Sequence, residues 1–593
     1  MFSPLLFLLL AFPATAAAPI PLPAENQTWI RVRTPRFTIV SSASERRTRE
    51  VAERLEALAT SLRQVNERFD GRPIDTRVLI FNRRRDSQPF FDLLLNQQRA
   101  EAPGVFVAHA DGSGTMVIDA GREWDRTLFH ELIHNLLAGS GAHLPLWLEE
   151  GLAEYFSSAV IRGRHIILGR AITEHQRVLW SRTLIPLKDV LTAPRSTPLV
   201  THAMFYPESW GIVDWMMRAG RPRFYRLLAD VEAGLPASDA LRKHYSVDEG
   251  FIERALRKPP ITPPSTITVS VEPVERVKAV EPLSRPDALY QIGIFLGALE
   301  VSAPDAERFF RAALELDSGH AHSLAGLGNL RSRQKNYDEA YAFYERAVKA
   351  APDDPEVQLD FAQALMRDTI GAFTGVLPLG GDAPPRARKA RELAARALQN
   401  GGDVGRANAV IGSTYRVQKD VGPGIPALET ALQLKPARSD VALNLYALYL
   451  RSGDRARAEA LFEQRFARAR NPEVTLAART IFAQEQMIVA NRHMAANDFA
   501  KAEALVQEIA DLTTDPVAKM NLQNQLRSLR ETLATNAQIV AFNDAVSAAN
   551  RGETRAAMKM VDNLLQRATD ERVISDSKRL REMLEWRLRR ERR

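Results

Sequence analysis

There is no cysteine among the 593 residues. Disulfide scaffolds, thiol nucleophiles and thiolate metal sites are excluded, so a metal site here must be built from His, Asp and Glu. Long apolar runs are also missing. The one unbroken stretch near the start, Leu5 to Phe12, is too short to cross a bilayer core. An excess of one charge is nearly missing as well. The formal net charge of +7 is spread over the whole length without a dense Lys/Arg block, and gives no footprint for nucleic acid. The basic end, Arg587 to Arg593, reads as cations complementing a helix C-terminus. Hydrophobic residues at 45% and charged residues at 25% are ordinary globular values, which exclude a wholly disordered chain, a collagen or a multi-span membrane protein.

What is present begins with that apolar run. Small residues follow from Ala14 to Ala18, and Ala14-Thr15-Ala16 fits a signal-peptidase cleavage site. Residues 1–18 read as a secretory signal peptide, although no Lys or Arg precedes the run. The rest is expected to be soluble and exported, in the periplasm or the medium, with no stable membrane span.

Residues 25–256 carry mixed signals. Trp29–Arg33, Arg36–Val40 and Arg77–Phe81 have strand patterns. Val51, Leu55, Leu58, Leu62 and Val65 recur at helical spacing, which predicts a helix from about Glu45 to Phe69 capped by Ser44. Val105–Ala108 and Thr115–Ile118 flank a Gly-rich turn and predict a hairpin. Helical patterns dominate from Asp125 to about Arg254. Residues 257–286 are rich in proline and read as an extended, partly packed linker.

From about 287 the sequence repeats. Ala306, Phe310 and Ala313 recur as Ala340, Tyr344 and Ala347, each displaced by 34. Leu324, Leu327, Gly328 and Pro352 complete one copy, and Ile411, Gly412, Tyr415 and Ala431 mark another. Between them lies a third copy, interrupted by an insert of 16 residues within Thr369–Pro385, past which Ala390 and Ala397 return to register. Ala458 and Phe462 mark a fifth copy. Small residues facing large ones let antiparallel helices nest, and this period resembles the tetratricopeptide repeat (TPR). An all-α TPR solenoid is expected over 287–475, with divergent helical repeats over 476–593.

The sharpest motif is His130-Glu131-Leu132-Ile133-His134. On a helix the two imidazoles stand about 40° apart on one face, with Glu131 beside them. Leu128, Phe129, Leu132, Ile133, Leu136 and Leu137 fill the buried arc. Two neutral nitrogens within reach of one ion, and a carboxylate nearby, are what a zinc site needs. Downstream comes Trp147-Leu148-Glu149-Glu150-Gly151-Leu152-Ala153-Glu154-Tyr155-Phe156. Helical spacing puts Glu150 and Glu154 on one face. A second helix packed on the first can present Glu150 as third ligand, and Glu154 can orient a ligand imidazole. Gly151 permits close approach of helices. His109, His143, His165, His175 and His244 have no ligand spacing to one another, and read as surface residues or as partners behind the ligands.

HELIH followed by LPLWLEEGLAEYF resembles the gluzincin metallopeptidases, specifically the peptidase-MA-like group often fused to TPRs. The likeness is specific over about 125–160 and looser over 29–255. It implies an α+β zincin-like metallopeptidase domain over 25–256, followed by the solenoid. It implies Zn2+ held by His130, His134 and Glu150, with Glu131 as general base and acid towards a zinc-activated water. Glu149 and Glu154 are the alternative third ligands. An oxyanion donor is usually a Tyr or His of a later helix, which points to Tyr206 first and His202 second. Substrate backbone often pairs with an edge strand, for which Val105–Ala108 and Thr115–Ile118 are the candidates.

Three functions fit these residues. The first is an exported zinc metallopeptidase whose solenoid binds substrate or partner proteins. The second is a non-catalytic TPR scaffold with a degenerate zincin domain. The third is a zinc hydrolase of non-peptide amides, which would use the same side chains.

Overall fold

The computed structural model describes residues 19–66, 69, 76–95, 104–108, 113–120, 125–140, 144–195, 197–271, 279–299, 302–372, 384–418, 420–435, 438–467, 472–513 and 516–591. Residues 1–18, read above as a signal peptide, His109, His143 and most of the insert lie outside them. Among the described residues, no helix is long and apolar enough to cross a membrane.

Strands β1 (Trp29–Arg33), β2 (Phe37–Ser41), β3 (Thr76–Phe81), β4 (Gly104–Ala108), β5 (Gly114–Asp119), β6 (Val160–Arg162), β7 (His165–Leu168), β8 (Ile267–Ser270) and β9 (Val280–Leu283) form two sheets. The larger has the order β4-β5-β3-β2-β1-β9, parallel across β5-β3-β2 and antiparallel elsewhere. The smaller, β6-β7-β8, is antiparallel. The segment read as a linker therefore holds one strand of each sheet. The hairpin β6–β7 also interrupts a stretch in which helical patterns dominate.

Both faces of the large sheet are covered, which is why strands such as β3 read as unbroken apolar runs. Val32, Ile39, Val78, Ile80, Met116 and Ile118 point to one core. They meet α1 (Glu45–Val65), whose Ser44 caps the Arg47 amide, and α3 (Asp125–Ser140). Trp29, Val40, Leu79, Phe81 and Val117 point the other way. There they meet α2 (Arg84–Leu95), which the sequence pattern does not reveal, and α10 (Arg285–Ala298) with α11 (Ala303–Leu316). The remaining helices of this half are α4 (Leu146–Ser157), α5 (Thr173–Ser181), α6 (Leu187–Leu191), α7 (Phe205–Glu232), α8 (Ala237–Tyr245) and α9 (Glu249–Leu256). α7 breaks at Gly220, whose φ of 142° is open to glycine alone, and resumes at Pro222.

The solenoid stacks α10 on α11, α12 (Ala321–Arg333) on α13 (Tyr337–Ala350), α14 (Pro355–Ala372) on α15 (Pro385–Gln399), and α16 (Val404–Ser413) on α17 (Gly424–Leu434). A glycine faces a large side chain in three of these four pairs: Gly293 and Gly326 lie against Phe310, Gly328 against Tyr344, and Gly412 against Leu428.

α18 (Ser439–Ser452) and α19 (Arg455–Arg465) follow. A second compact unit comprises Tyr449–Ala458 and Leu476–Arg593. Its helices are most of α20 (Pro472–Ala495), then α21 (Phe499–Leu512), α22 (Pro516–Asn550), α23 (Thr554–Leu565) and α24 (Glu571–Glu591). Two small apolar clusters hold it, around Ala502, Val506 and Leu526 and around Ala549, Val561 and Leu584.

Candidate metal centre

Helix α3 is fixed by burial. Leu128, Phe129, Leu132, Ile133, Leu136 and Leu137 are each at most 1% exposed, so the helix cannot rotate without uncovering them. His130, Glu131 and His134 take the remaining arc. Every residue of α4 is buried, including three carboxylates, Glu149, Glu150 and Glu154. Buried charges persist only when paired or bound to a metal. Close packing of α4 on α7 depends on Gly151, where a Cβ would stand 2.4 Å from the Ser209 carbonyl oxygen.

The two helices bring three ligand-type atoms together. Nε2 of His130 and Nε2 of His134 are 3.0 Å apart. Glu150 Oε2 lies 3.3 Å from each of them. This oxygen is buried and makes no hydrogen bond. Donor atoms about 2.0–2.1 Å from a tetrahedral zinc would stand about 3.3 Å from one another. The donor set, its spacing and the unsatisfied oxygen all fit a zinc-type cation held by His130, His134 and Glu150. Glu149 and Glu154 do not point into this centre. Each stands behind it.

Glu154 Oε1 is 3.4 Å from His130 Nδ1. Its other oxygen meets Arg126 Nη2 at 2.6 Å and His175 Nε2 at 3.0 Å. Glu149 Oε1 is 3.3 Å from His134 Nδ1, and its Oε2 meets Arg195. Both imidazoles thus have a carboxylate behind them, in turn held by a cation, an arrangement that fixes tautomer and ring orientation at metal sites.

Glu131 lies beside the centre, and its Oε2 accepts a hydrogen bond from the Phe106 amide at 2.8 Å. Phe106 is on β4, one of the two edge strands of the large sheet. Of the two candidate edge strands, Thr115–Ile118 belongs to β5 and is interior, paired with β4 on one side and β3 on the other. Tyr206 sits in the first turn of α7, its ring centroid 6.3 Å from that of His130. His202 is exposed, and its Nδ1 accepts the Met204 amide, so that nitrogen is committed to the turn before α7.

The electrostatics follow from burial and crowding. Burial pulls the His130 imidazole down, but the Glu150 and Glu154 carboxylates override it and carry it up to about 9. His134 is held well above the ordinary histidine range by Glu150 and Glu149, again against burial. Burial pushes Glu150 up, while the two imidazoles bring it down to about 2. Glu131 moves the other way. Burial raises its carboxyl above the usual range, opposed by both imidazoles and the Phe106 amide. The centre therefore carries a negative potential that protons answer, and that a divalent cation would answer equally.

Sequence spacing does not reveal the meeting with His175 of α5 and Arg195 of the loop after α6, which arrive from elements remote in sequence. Arg126 was within reach of it, one helical turn before His130 and on the same face.

A tetratricopeptide-repeat family profile matches residues 302–367. That stretch covers α11 to most of α14, so the repeat part of the solenoid is shown, and stacked helix pairs of this kind form protein-binding scaffolds. No curated protein matches the chain. Among solved structures, the chain is similar to PilF of Pseudomonas aeruginosa at 15% identity and a TM-score of 0.26, over 41% of this chain and 97% of that one. It is similar to yeast Tom70 at 13% identity and a TM-score of 0.20, over 55% of this chain and 61% of that one. It is also similar to human IFIT1, solved as a dimer with PPP-AAAA, at 14% identity and a TM-score of 0.23, over 68% of this chain and all of that one.

Proposed function

We propose that this chain is an exported zinc metallopeptidase of the zincin type, with a TPR solenoid that binds substrate or partner proteins. The observation that carries the reading is the meeting of His130, His134 and an unsatisfied Glu150 oxygen beside Glu131. Zinc, when bound, would polarise a carbonyl and make water a nucleophile near neutral pH. His130, His134 and Glu150 would hold it. Glu131 keeps one oxygen on the Phe106 amide and has the other to take a proton from water and return it to the leaving amine. Burial raises the basicity of its carboxylate, which suits both steps. Tyr206, on the His130 side, would donate its hydroxyl to the developing oxyanion. The outer edge of β4, apart from the Phe106 amide that Glu131 occupies, would pair with an extended substrate backbone. Export rests on the Leu5–Phe12 run and the small residues after it.

The test is zinc content of the purified chain, with Glu150→Ala alongside, followed by cleavage assays on unfolded proteins and peptide libraries. About one zinc per chain, lost in the variant, with metal-dependent peptide cleavage, is expected. Zinc binding without any peptide cleavage would favour hydrolysis of a non-peptide amide, or the scaffold reading that the repeat match supports. No zinc in the wild type would end the metallopeptidase reading.

A further inference from the structure

Behind the three ligand-type atoms, one guanidinium reaches two elements of the site. Arg195 lies on the loop between α6 and the 3-10 turn Pro198–Thr201. Its Nη2 carries two hydrogens, and both are used. One goes to Oε2 of Glu149, whose other oxygen faces His134 Nδ1. The other goes to the Leu144 carbonyl at 2.9 Å. Leu144 precedes Pro145, which begins α4 with no side-chain cap of its own. The same helix presents Glu150 one residue after Glu149. The Glu149 side chain is 7% exposed, so its charge depends on partners inside the protein.

We infer that Arg195 is a positioning residue for the metal centre, acting through Glu149 on the second imidazole ligand. The inference rests on the metallopeptidase reading. The guanidinium holds the Glu149 carboxylate in one rotamer, and Glu149 in turn keeps His134 Nδ1–H directed away from the centre and Nε2 towards it. The bond to Leu144 fixes the start of the helix that delivers Glu150. Two of the three ligands are therefore set by one side chain from a segment remote in sequence. Arg126 and His175 act similarly on His130 through Glu154.

The test uses the full chain. Zinc affinity is measured by chelator competition, and the visible spectrum of the cobalt-substituted protein is recorded, for wild type, Arg195→Ala, Arg195→Lys, Glu149→Gln and the double variant Glu149→Gln/Arg195→Ala. Arg195→Ala and Glu149→Gln should each weaken zinc about 10–100-fold, as loss of partners behind ligands does elsewhere, and should shift the cobalt bands. Arg195→Lys should recover part of the affinity. Because Glu149 acts only through the bond that Arg195→Ala already removes, the double variant should bind little worse than Arg195→Ala. Should Arg195→Ala fail to fold, Arg195→Gln keeps a donor for Leu144 while removing the positive charge that faces Glu149, and carries the same comparison. Wild-type affinity and an unchanged cobalt spectrum in the Arg195 variants would overturn the inference. So would losses that multiply in the double variant. A wild type that binds no zinc would instead remove the metallopeptidase reading, and this inference with it.

Discussion

The carboxylate of Glu131 and the amide of Phe106 are joined by a hydrogen bond of 2.8 Å that runs from the outer edge of β4 to helix α3. The edge strand and the candidate base are thereby held at a fixed spacing. Replacing Glu131 by Gln preserves this, because an amide oxygen accepts the same hydrogen bond while its basicity is gone. Glu131→Gln should therefore keep the fold and its zinc, and lose at least about 100-fold in peptide hydrolysis. Zinc content, thermal midpoint and cleavage rate, measured on one preparation, check all three parts.

Gly151 governs the distance between α4 and α7. A methyl group there meets the Ser209 carbonyl oxygen at 2.4 Å and a Val213 methyl at 2.7 Å. The Ser209 contact is with backbone and cannot be relieved by a rotamer change, so α7 must move. Gly151→Ala should cost about 1–3 kcal/mol in stability. It should also weaken zinc binding, since Glu150 is the neighbouring residue. Denaturant unfolding and metal competition on the same variant would show the two effects together.

Glu208 gives the fold a pH dependence of its own. It is 1% exposed and accepts the Ile185 amide at 2.7 Å. Burial, with Glu253 nearby, pushes its carboxyl from 4.5 up to about 7. Between those values the folded chain holds a proton that the unfolded chain has released. This contribution is fully present below pH 4.5 and is lost as pH rises to about 7. Its size is on the order of 3 kcal/mol. Glu208→Gln keeps the bond to Ile185 and removes the titration. The variant should be more stable than wild type at pH 8 and similar to it at pH 4.5. Unfolding curves across that range would show the difference, and parallel curves would count against it.

The fourth expectation concerns where the first domain ends. A chain stopped at residue 256 loses β8, β9, α10 and α11, and uncovers Trp29, Val40, Leu79, Phe81 and Val117. At about 1.5–3 kcal/mol for each buried side chain, the loss rivals the whole stability of an ordinary domain. Residues 19–256 should be insoluble or bind a hydrophobic dye strongly. Residues 19–350, which retain two helical pairs, should fold. Expression yield and near-ultraviolet circular dichroism distinguish the two.

Much of the candidate site was legible because it is written in helical period. HELIH and EEGLAEY each lie within about two turns, so their faces follow from 3.6 residues per turn. The partners behind the ligands were not legible in the same way. Arg195 reaches Glu149 across 46 residues and His175 reaches Glu154 across 21, and no local pattern encodes such a meeting. The proline-rich segment hid β8 and β9 for a different reason. Pro282 sits in β9, which pairs only with β1 and lies at the edge of its sheet, where a missing amide hydrogen can face away from the ladder. Proline there marks an edge strand, yet in sequence it reads as a break. Likewise Pro89 interrupts the pattern of α2, and the two-residue turn Gly163-Arg164 makes β6 and β7 too short to stand out.

Helix α10 answers to two neighbours at once. Phe295 stands 6.1 Å from Phe90 of α2 on the sheet side, while Gly293 on the same helix lies against Phe310 of α11. A repeat whose only duties are to the repeats before and after it can be exchanged for another of the same kind. This one cannot, because its sequence is also part of a sheet's covering. The solenoid thus begins with a helix that is not portable. Any graft of these repeats onto another protein, or of other repeats onto this one, would have to be cut after the first pair.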